Sequence, residues 1–204
     1  MSANLYELLQ KSFQDQPDTI AIQSPERRNW TYAELEQKTD RFAEWLIQSE
    51  VKPGDRVAVQ VEKSPEVVFL YLASLKVGAV FLPLNNAYPP AELEFFLNDA
   101  EPRILVCSPK KKSLLEPLCT GINVSLFSLD TDGGGDLLEM VPENGNDNLI
   151  SRKGDDLAAI LYTSGTTGRS KGAMITHDNL SSNARTLHHH WGFVPGDILL
   201  HSLP

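Results

Sequence analysis

The sequence predicts an α/β fold in which a mostly parallel sheet carries helices on both faces. Three observations predict it: short β-branched runs alternate with segments of helical period, the order from Arg56 to Leu129 reads β-α-β-α-β-α-β, and a helical segment separates each strand from the next. Strands connected in this way need crossovers, and crossovers within one sheet make neighbours parallel and lay the helices against its faces.

The elements follow in order. Residues 1–18, MSANLYELLQKSFQDQPD, carry Glu7, Gln10 and Asp15 among their apolar positions and so lack the basic start and unbroken apolar stretch of a signal peptide. In "WTYAELEQKTDRFAEWL" Tyr32, Leu35, Phe42 and Leu46 fall near one helical face, Thr31 and Glu34 are spaced as a capping box, and Trp30 and Leu35 as a hydrophobic staple. "RVAVQV", Arg56 to Val61, reads as a strand, and Ser64-Pro65 supplies an N-cap and first-turn proline for a helix that ends at Gly78. "AVFLPL" is the next strand. Pro90 opens a helix through Asn98, "RILVC" is a strand, Leu114 to Leu118 lie in a short helix, and "VSLFSL" is a further strand.

Asp130 to Gly154 is rich in Gly, Asp and Asn without a sustained period, and reads as a long surface connection between a first sub-lobe, 1–129, and a second unit, 155–204. In that unit "LAAILYT" is an apolar strand expected to be buried on both faces, and Leu180, Ala184, Leu187 and Trp191 mark a helix from Asp178 to Trp191. "DILLHSLP" reads as the start of a last strand, whose unpaired edge predicts association.

Composition excludes several classes. The 204 residues are 41% hydrophobic, enough for a core of ordinary domain size, and the formal net charge of −9 repels nucleic acid and anionic membranes unless a local basic patch intervenes. The densest basic run, Lys110 to Lys112, reads as a solvated helix start. The longest apolar stretch, Val67 to Leu84, is interrupted by Ser74, Lys76, Gly78 and Pro83, so no membrane span is expected. Cys107 and Cys119 lack metal or redox spacing, which points to a reducing, cytoplasmic setting.

The chemistry concentrates at "ILYTSGTTGRSKGAMITHDNL", where a buried strand breaks into Thr163, Ser164, Gly165, Thr166, Thr167 and Gly168 and reaches Lys171. Glycines let the backbone wrap an anion with several amides inward, the hydroxyls add donors, and a lysine can follow phosphate oxygens. In an open α/β sheet the carboxyl end of a strand is where ligands sit. The spacing is not that of the Walker loop, because Gly165 and Gly168 are three apart, Lys171 lies three beyond, and Gly172 stands where Ser or Thr would bind magnesium. The dinucleotide fingerprint is absent as well. The bland alternative is a glycine-rich surface linker.

At these residues the chain resembles the adenylate-forming superfamily of acyl-CoA synthetases, peptide-synthetase adenylation domains and luciferases. "YTSGTTGRSKGA" is similar to its phosphate-loop signature, with Ser170 where the family usually has proline, and "WTYAELEQKTDRFAEWL" and "LKVGAVFLPLNNAYPPAELEFFLNDAEPRILV" resemble the motifs that precede it, so the resemblance covers essentially the whole chain. It implies the N-terminal lobe of that fold, incomplete here. It further implies a two-step ligation: a carboxylate attacks the α-phosphate of ATP, magnesium accompanies the nucleotide, and CoA then takes the acyl group. By resemblance Thr163, Ser164, Gly165, Thr166, Thr167, Gly168 and Lys171 enclose the β- and γ-phosphates, while the catalytic residues are expected downstream of Pro204. Within the family "PLNNAYPPAELEFFLNDAEPR" and "TSGTTGRSKGAMITHDNL" are most similar to malonyl-CoA synthetases. The chain alone is therefore expected to be inactive in adenylate formation, with a complementing C-terminal half as its implied partner; the alternative is a non-catalytic nucleotide-binding or interaction module.

Other candidates are weaker. His188, His189 and His190 on a helix point ~100° apart and cannot converge on one ion. No metal site is expected among these residues. His177 reads as a polar helix-start residue, and Glu92 and Glu94, two apart on a helix, are turned to different faces.

Overall fold

The computed structural model describes residues 2–24, 27–163 and 170–201. The chain opens with helix α1, Leu5–Asp15, where the Asn4 side chain accepts the Tyr6 N–H at 2.9 Å as an N-cap. Leu5, Tyr6 and Phe13 are its buried residues. Strands β1, Ile20–Ile22, and β2, Trp30–Thr31, then form a small antiparallel ribbon. Helix α2, Tyr32–Gln48, begins with the expected capping box: the Thr31 hydroxyl accepts the Glu34 N–H at 3.3 Å and the Glu34 carboxylate accepts the Thr31 N–H at 3.0 Å. Trp30 and Leu35 are both buried beside it.

The central sheet is built from β3, Arg56–Gln60; β4, Val80–Pro83; β5, Ile104–Cys107; β6, Ser125–Ser128; β7, Leu157–Thr163; and β8, Lys171–Thr176. These six strands lie in the order β6-β5-β3-β4-β7-β8. All neighbours are parallel except β8, which runs antiparallel to β7. The connecting helices are α3, Pro65–Lys76; α4, Pro90–Ala100; α5, Pro109–Gly121; and, after β6, the short α6, Asp136–Met140; α7, His177–Trp191, follows β8.

Alternation along the strands divides the apolar residues into two cores. Val57, Val59, Phe81, Ile104 and Val106 face α1, α2 and α3. Ala58, Leu82, Leu105 and Cys107 face the other way, onto α4 and α5 through Leu93, Phe96, Leu97, Leu115 and Cys119. The central strands β3 and β5 are thus apolar on both sides, the pattern of a doubly covered parallel sheet. Lys76, wholly buried at the end of α3, forms an ion pair with Asp40 of α2 and lies 5.3 Å from the centroid of the Tyr6 ring. Gly78, at φ +73°, takes the left-handed turn that lets the chain leave α3 and enter β4.

Four local expectations change. The connection after β6 contains α6 and buries Leu137 and Val141 in the first core, because its Gly-rich and Asn-rich letters conceal two well-placed apolar residues. Helix α5 is longer than its apolar pattern, since Pro109 starts it without needing an amide donor. β7 is buried only in its first half, at Ala158 and Ala159, and half-buried or exposed from Ile160 onward. Residues 197–201 form no strand, and Ile198, Leu199 and Leu200 are exposed. The described edges of the sheet are therefore β6 and β8.

Candidate functional site

The end of β7 and the start of β8 define the site. Thr163 pairs with Lys171 and Tyr162 with Gly172, so the two ends of the intervening segment are held side by side at the carboxyl end of the parallel sheet. Thr163 and Lys171 are both exposed there. Of the residues expected to bind phosphate, the structure brings these two together; Ser164, Gly165, Thr166, Thr167 and Gly168 lie outside the described residues.

What anchors this strand end is a contact that sequence reasoning missed. The Tyr162 ring packs 4.3 Å from the Phe96 ring of α4, and its hydroxyl donates to Asp99 at 2.5 Å. Burial, and then the Asp99 carboxylate, push the phenol above its ordinary range, so it remains a neutral donor. Gly172 lies across from this tyrosine. A Cβ there would come within 3.0 Å of Ile160 Cγ2 and 3.5 Å of the Tyr162 ring, so the residue that separates the motif from a Walker loop also lets β8 lie close on β7. The alternation Ile160, Tyr162 was a readable signal for one covered face. Nothing in "KGAMIT" alone announced a strand.

After β8, Thr176 and Asn179 form a second capping box at 3.1 Å in each direction and start α7. His177 is the first residue of α7, as expected, but it is fully buried. Its backbone N–H donates to the Asp156 carbonyl at 3.1 Å, and its ring Nδ1 accepts the Leu5 N–H at 3.1 Å. Burial, with Arg152 adding to it, lowers the affinity of the imidazole for a proton. It faces the N-terminal helix and ties the start of α7 to it.

The neighbouring strand ends are tied together as well. Gln60 Nε2 donates to the carbonyls of Asn85 at 3.0 Å and Tyr88 at 3.3 Å, Asn86 donates to Glu62 at 2.6 Å, and Lys111 donates to Asn86 Oδ1 at 2.9 Å. Lys112 pairs with Asp136. Two members of the basic run are therefore structural tethers on α5, because the helix start brings them beside the loop after β4 and the start of α6.

His188, His189 and His190 are exposed on the last turn of α7, and Glu92 and Glu94 differ in burial as their spacing implies. Among the described residues no group of three or more His, Cys, Asp or Glu is placed to hold a metal ion, and no helix is long and apolar enough to cross a membrane.

Comparison with known proteins agrees with this geometry. The apo and ATP-bound crystal structures of MatB from Rhodopseudomonas palustris each superpose with a TM-score of 0.94 at 45% identity; all of this chain is covered, and 40% and 41% of theirs. The hybrid PKS-NRPS synthetase xenE of Xenoacremonium sinensis is 32% identical over 185 residues, which is 91% of this chain and 4% of that protein. The medium-chain fatty-acid–CoA ligase of Escherichia coli strain K12 is 31% identical over 195 residues, or 90% of this chain and 34% of that one. The chain thus spans less than half the length of each relative. The family model for AMP-binding enzymes matches residues 9–204, and with the parallel sheet and the strand pair that brackets the glycine segment, the chain belongs to the AMP-binding enzyme family.

Proposed function

We propose that this chain is the ATP-phosphate-binding portion of an acid–CoA ligase, with a small dicarboxylate such as malonate as its acid. The observation that carries this reading is the Thr163–Lys171 pairing at the carboxyl end of the sheet, together with 45% identity to MatB along the whole chain, including its ATP-bound form. Thr163, Ser164, Gly165, Thr166, Thr167, Gly168 and Lys171 enclose the β- and γ-phosphates, and their role is to hold charge in place as pyrophosphate departs. The nucleophile is the substrate carboxylate, so no side chain of the loop takes or gives a proton.

Magnesium is expected with the nucleotide by resemblance alone, since the described residues offer it no ligand set. By the family resemblance, CoA, the acid pocket and the residues that complete the transition state are expected outside this portion. The isolated chain binds nucleotide and does not form acyl-adenylate; a polypeptide supplying the remaining portion restores turnover. The exposed apolar residues at the end of the chain, Trp191, Val194, Ile198, Leu199 and Leu200, are the natural surface for that portion. A cytoplasmic setting agrees with Cys107 and Cys119, both buried free thiols that burial pushes up to about 12 and about 11.

The similarity to peptide synthetases favours a second reading, an adenylation portion that hands its acyl group to a carrier protein. Both share the first step and differ in the thiol acceptor. ATP titration of the wild type and a Lys171→Ala variant tests what they share. Loss of a charge-assisted contact should weaken ATP by roughly tenfold to a hundredfold. Equal affinity in the two proteins removes the phosphate role. Pyrophosphate release from malonate, ATP and magnesium by this chain alone would contradict the expected inactivity.

A further inference from the structure

Four cationic side chains, scattered in the sequence, meet in one cleft over the face covered by α2 and α3. Arg27 and Arg28 come from the segment before β2, and Lys38 and Arg41 from adjacent positions on one side of α2. The cleft encloses about 280 Å³ over the buried rings of Trp30 and Phe69. No such patch was visible in the sequence, where only Lys110 to Lys112 stood out.

Among the described residues the charges in the cleft do not balance. Arg27 forms a two-pronged pair with Glu66 at 2.7 and 2.8 Å, and Arg28 pairs with Glu34 at 2.5 Å. Both guanidinium carbons lie 5.3 Å from the centroid of the Trp30 ring, which fixes their position over it. Arg41 gives its Nε–H to the neutral Pro142 carbonyl at 2.6 Å, and Lys38 makes no ion pair among the described residues. Among the described residues Glu66, Glu34 and Asp132 stand against these four cations, which still outnumber them on a chain whose net charge is −9. Desolvation first, and then Arg41 and Arg28, lower the affinity of the Lys38 amine for its proton. An anion entering the cleft would relieve that repulsion.

We propose that this cleft is a second anion site, distinct from the segment between β7 and β8, and that it takes a phosphate group, free or as a monoester. Arginine forks beside a lysine suit tetrahedral oxyanions. None of the cleft residues belongs to β7, β8 or the residues between them.

The test is calorimetric titration of this chain with orthophosphate at constant ionic strength. The proteins are wild type, Lys38→Gln/Arg41→Gln, Lys38→Arg and Lys171→Ala. The site predicts saturable binding in the cleft that the double variant weakens by roughly tenfold or more, that Lys38→Arg retains, and that persists in Lys171→Ala, whatever the loop loses. Wild-type heats no different from those of chloride, equal affinity in the double variant, or complete loss in Lys171→Ala would overturn it. Should the double variant fail to fold, backbone amide shifts of the wild type on adding orthophosphate decide the matter. Changes centred on Arg27, Arg28 and Lys38 support the site, and changes confined to residues 163–172 refute it. Glycerol phosphate as competitor separates the sources: displacement of orthophosphate supports a monoester ligand in the same cleft, whereas failure to displace limits the cleft to free phosphate and overturns the monoester part.

Discussion

The Nδ1 of His177 accepts the backbone N–H of Leu5 at 3.1 Å and so joins the start of α1 to the start of α7 across 172 positions of sequence. The acceptor exists only while the imidazole is neutral. In the unfolded chain the ring titrates near ~6.5, and in the folded chain it titrates lower, so between the two values the unfolded state binds more protons. Its stabilising contribution is fully present above ~6.5 and is lost as the pH falls through the folded value. Unfolding by urea from pH 8 to pH 5 should show this decline as a slope of at most one proton. His177→Asn, which keeps an acceptor without the titration, should flatten that part of the curve; an unchanged acid slope would assign it to other groups.

Asn4 is the companion of this contact. It is 2% exposed, caps α1, and donates Nδ2 to the Leu75 carbonyl at 2.7 Å and the Ile150 carbonyl at 2.9 Å. Asn4→Ala removes the cap and leaves two carbonyls short of a donor, a loss of about 2–3 kcal/mol in denaturant unfolding. An effect within ~0.5 kcal/mol, typical of an exposed residue, would mean that this segment is not docked.

The buried ion pair of Lys76 with Asp40 yields a sharper test, because breaking a pair and replacing it differ in outcome. Lys76→Met leaves a carboxylate against an apolar helix and should destabilise by about 3 kcal/mol. Lys76→Met/Asp40→Leu should recover most of that, since no unpaired charge remains. A double variant as unstable as the single would show that the lysine stem, and not its charge, is what α2 and α3 need.

Gly172 is predicted to be intolerant of branching. Gly172→Val places two methyl groups against Ile160 and Tyr162, where a Cβ alone already reaches 3.0 Å. The expected result is a Tm several degrees lower together with weaker ATP binding, because the β7–β8 register holds Thr163 and Lys171 side by side. Tyr162→Phe removes only the bond to Asp99 and should lose about 1 kcal/mol, with the ring packing on Phe96 kept.

Much of the framework could be read from local letters. The capping box at Thr31 and Glu34, the prolines at 65 and 90 and the β-branched runs at 56–61 and 103–107 act through neighbours a few residues away, and the structure repeats them. What escaped reading depends on distant partners. α1 is a majority-polar segment whose burial is decided by α2 and α3, and β8 exists through its pairing with β7. Helix α7 carries the expected spacing, yet Ala184 and Trp191 are exposed because little of the described chain packs over them. At the candidate site the residue types and spacing were legible from the start. The Tyr162–Asp99 anchor and the burial of His177 were not, since both join segments far apart in sequence.

The way β7 joins the sheet has a consequence for local opening. β3, β4, β5 and β6 come from one continuous stretch and are zipped by several registers each, whereas β7 meets β4 through the single partnership of Phe81 with Ala159 and otherwise leans on β8. The β7–β8 hairpin is then the first part of the sheet to exchange its amide protons with solvent, and the central strands the last. A ligand gripped between Thr163 and Lys171 would slow exchange in that hairpin while leaving the amides of β5 as they were, so occupancy of the loop is readable as protection of a strand pair that touches no ligand along most of its length.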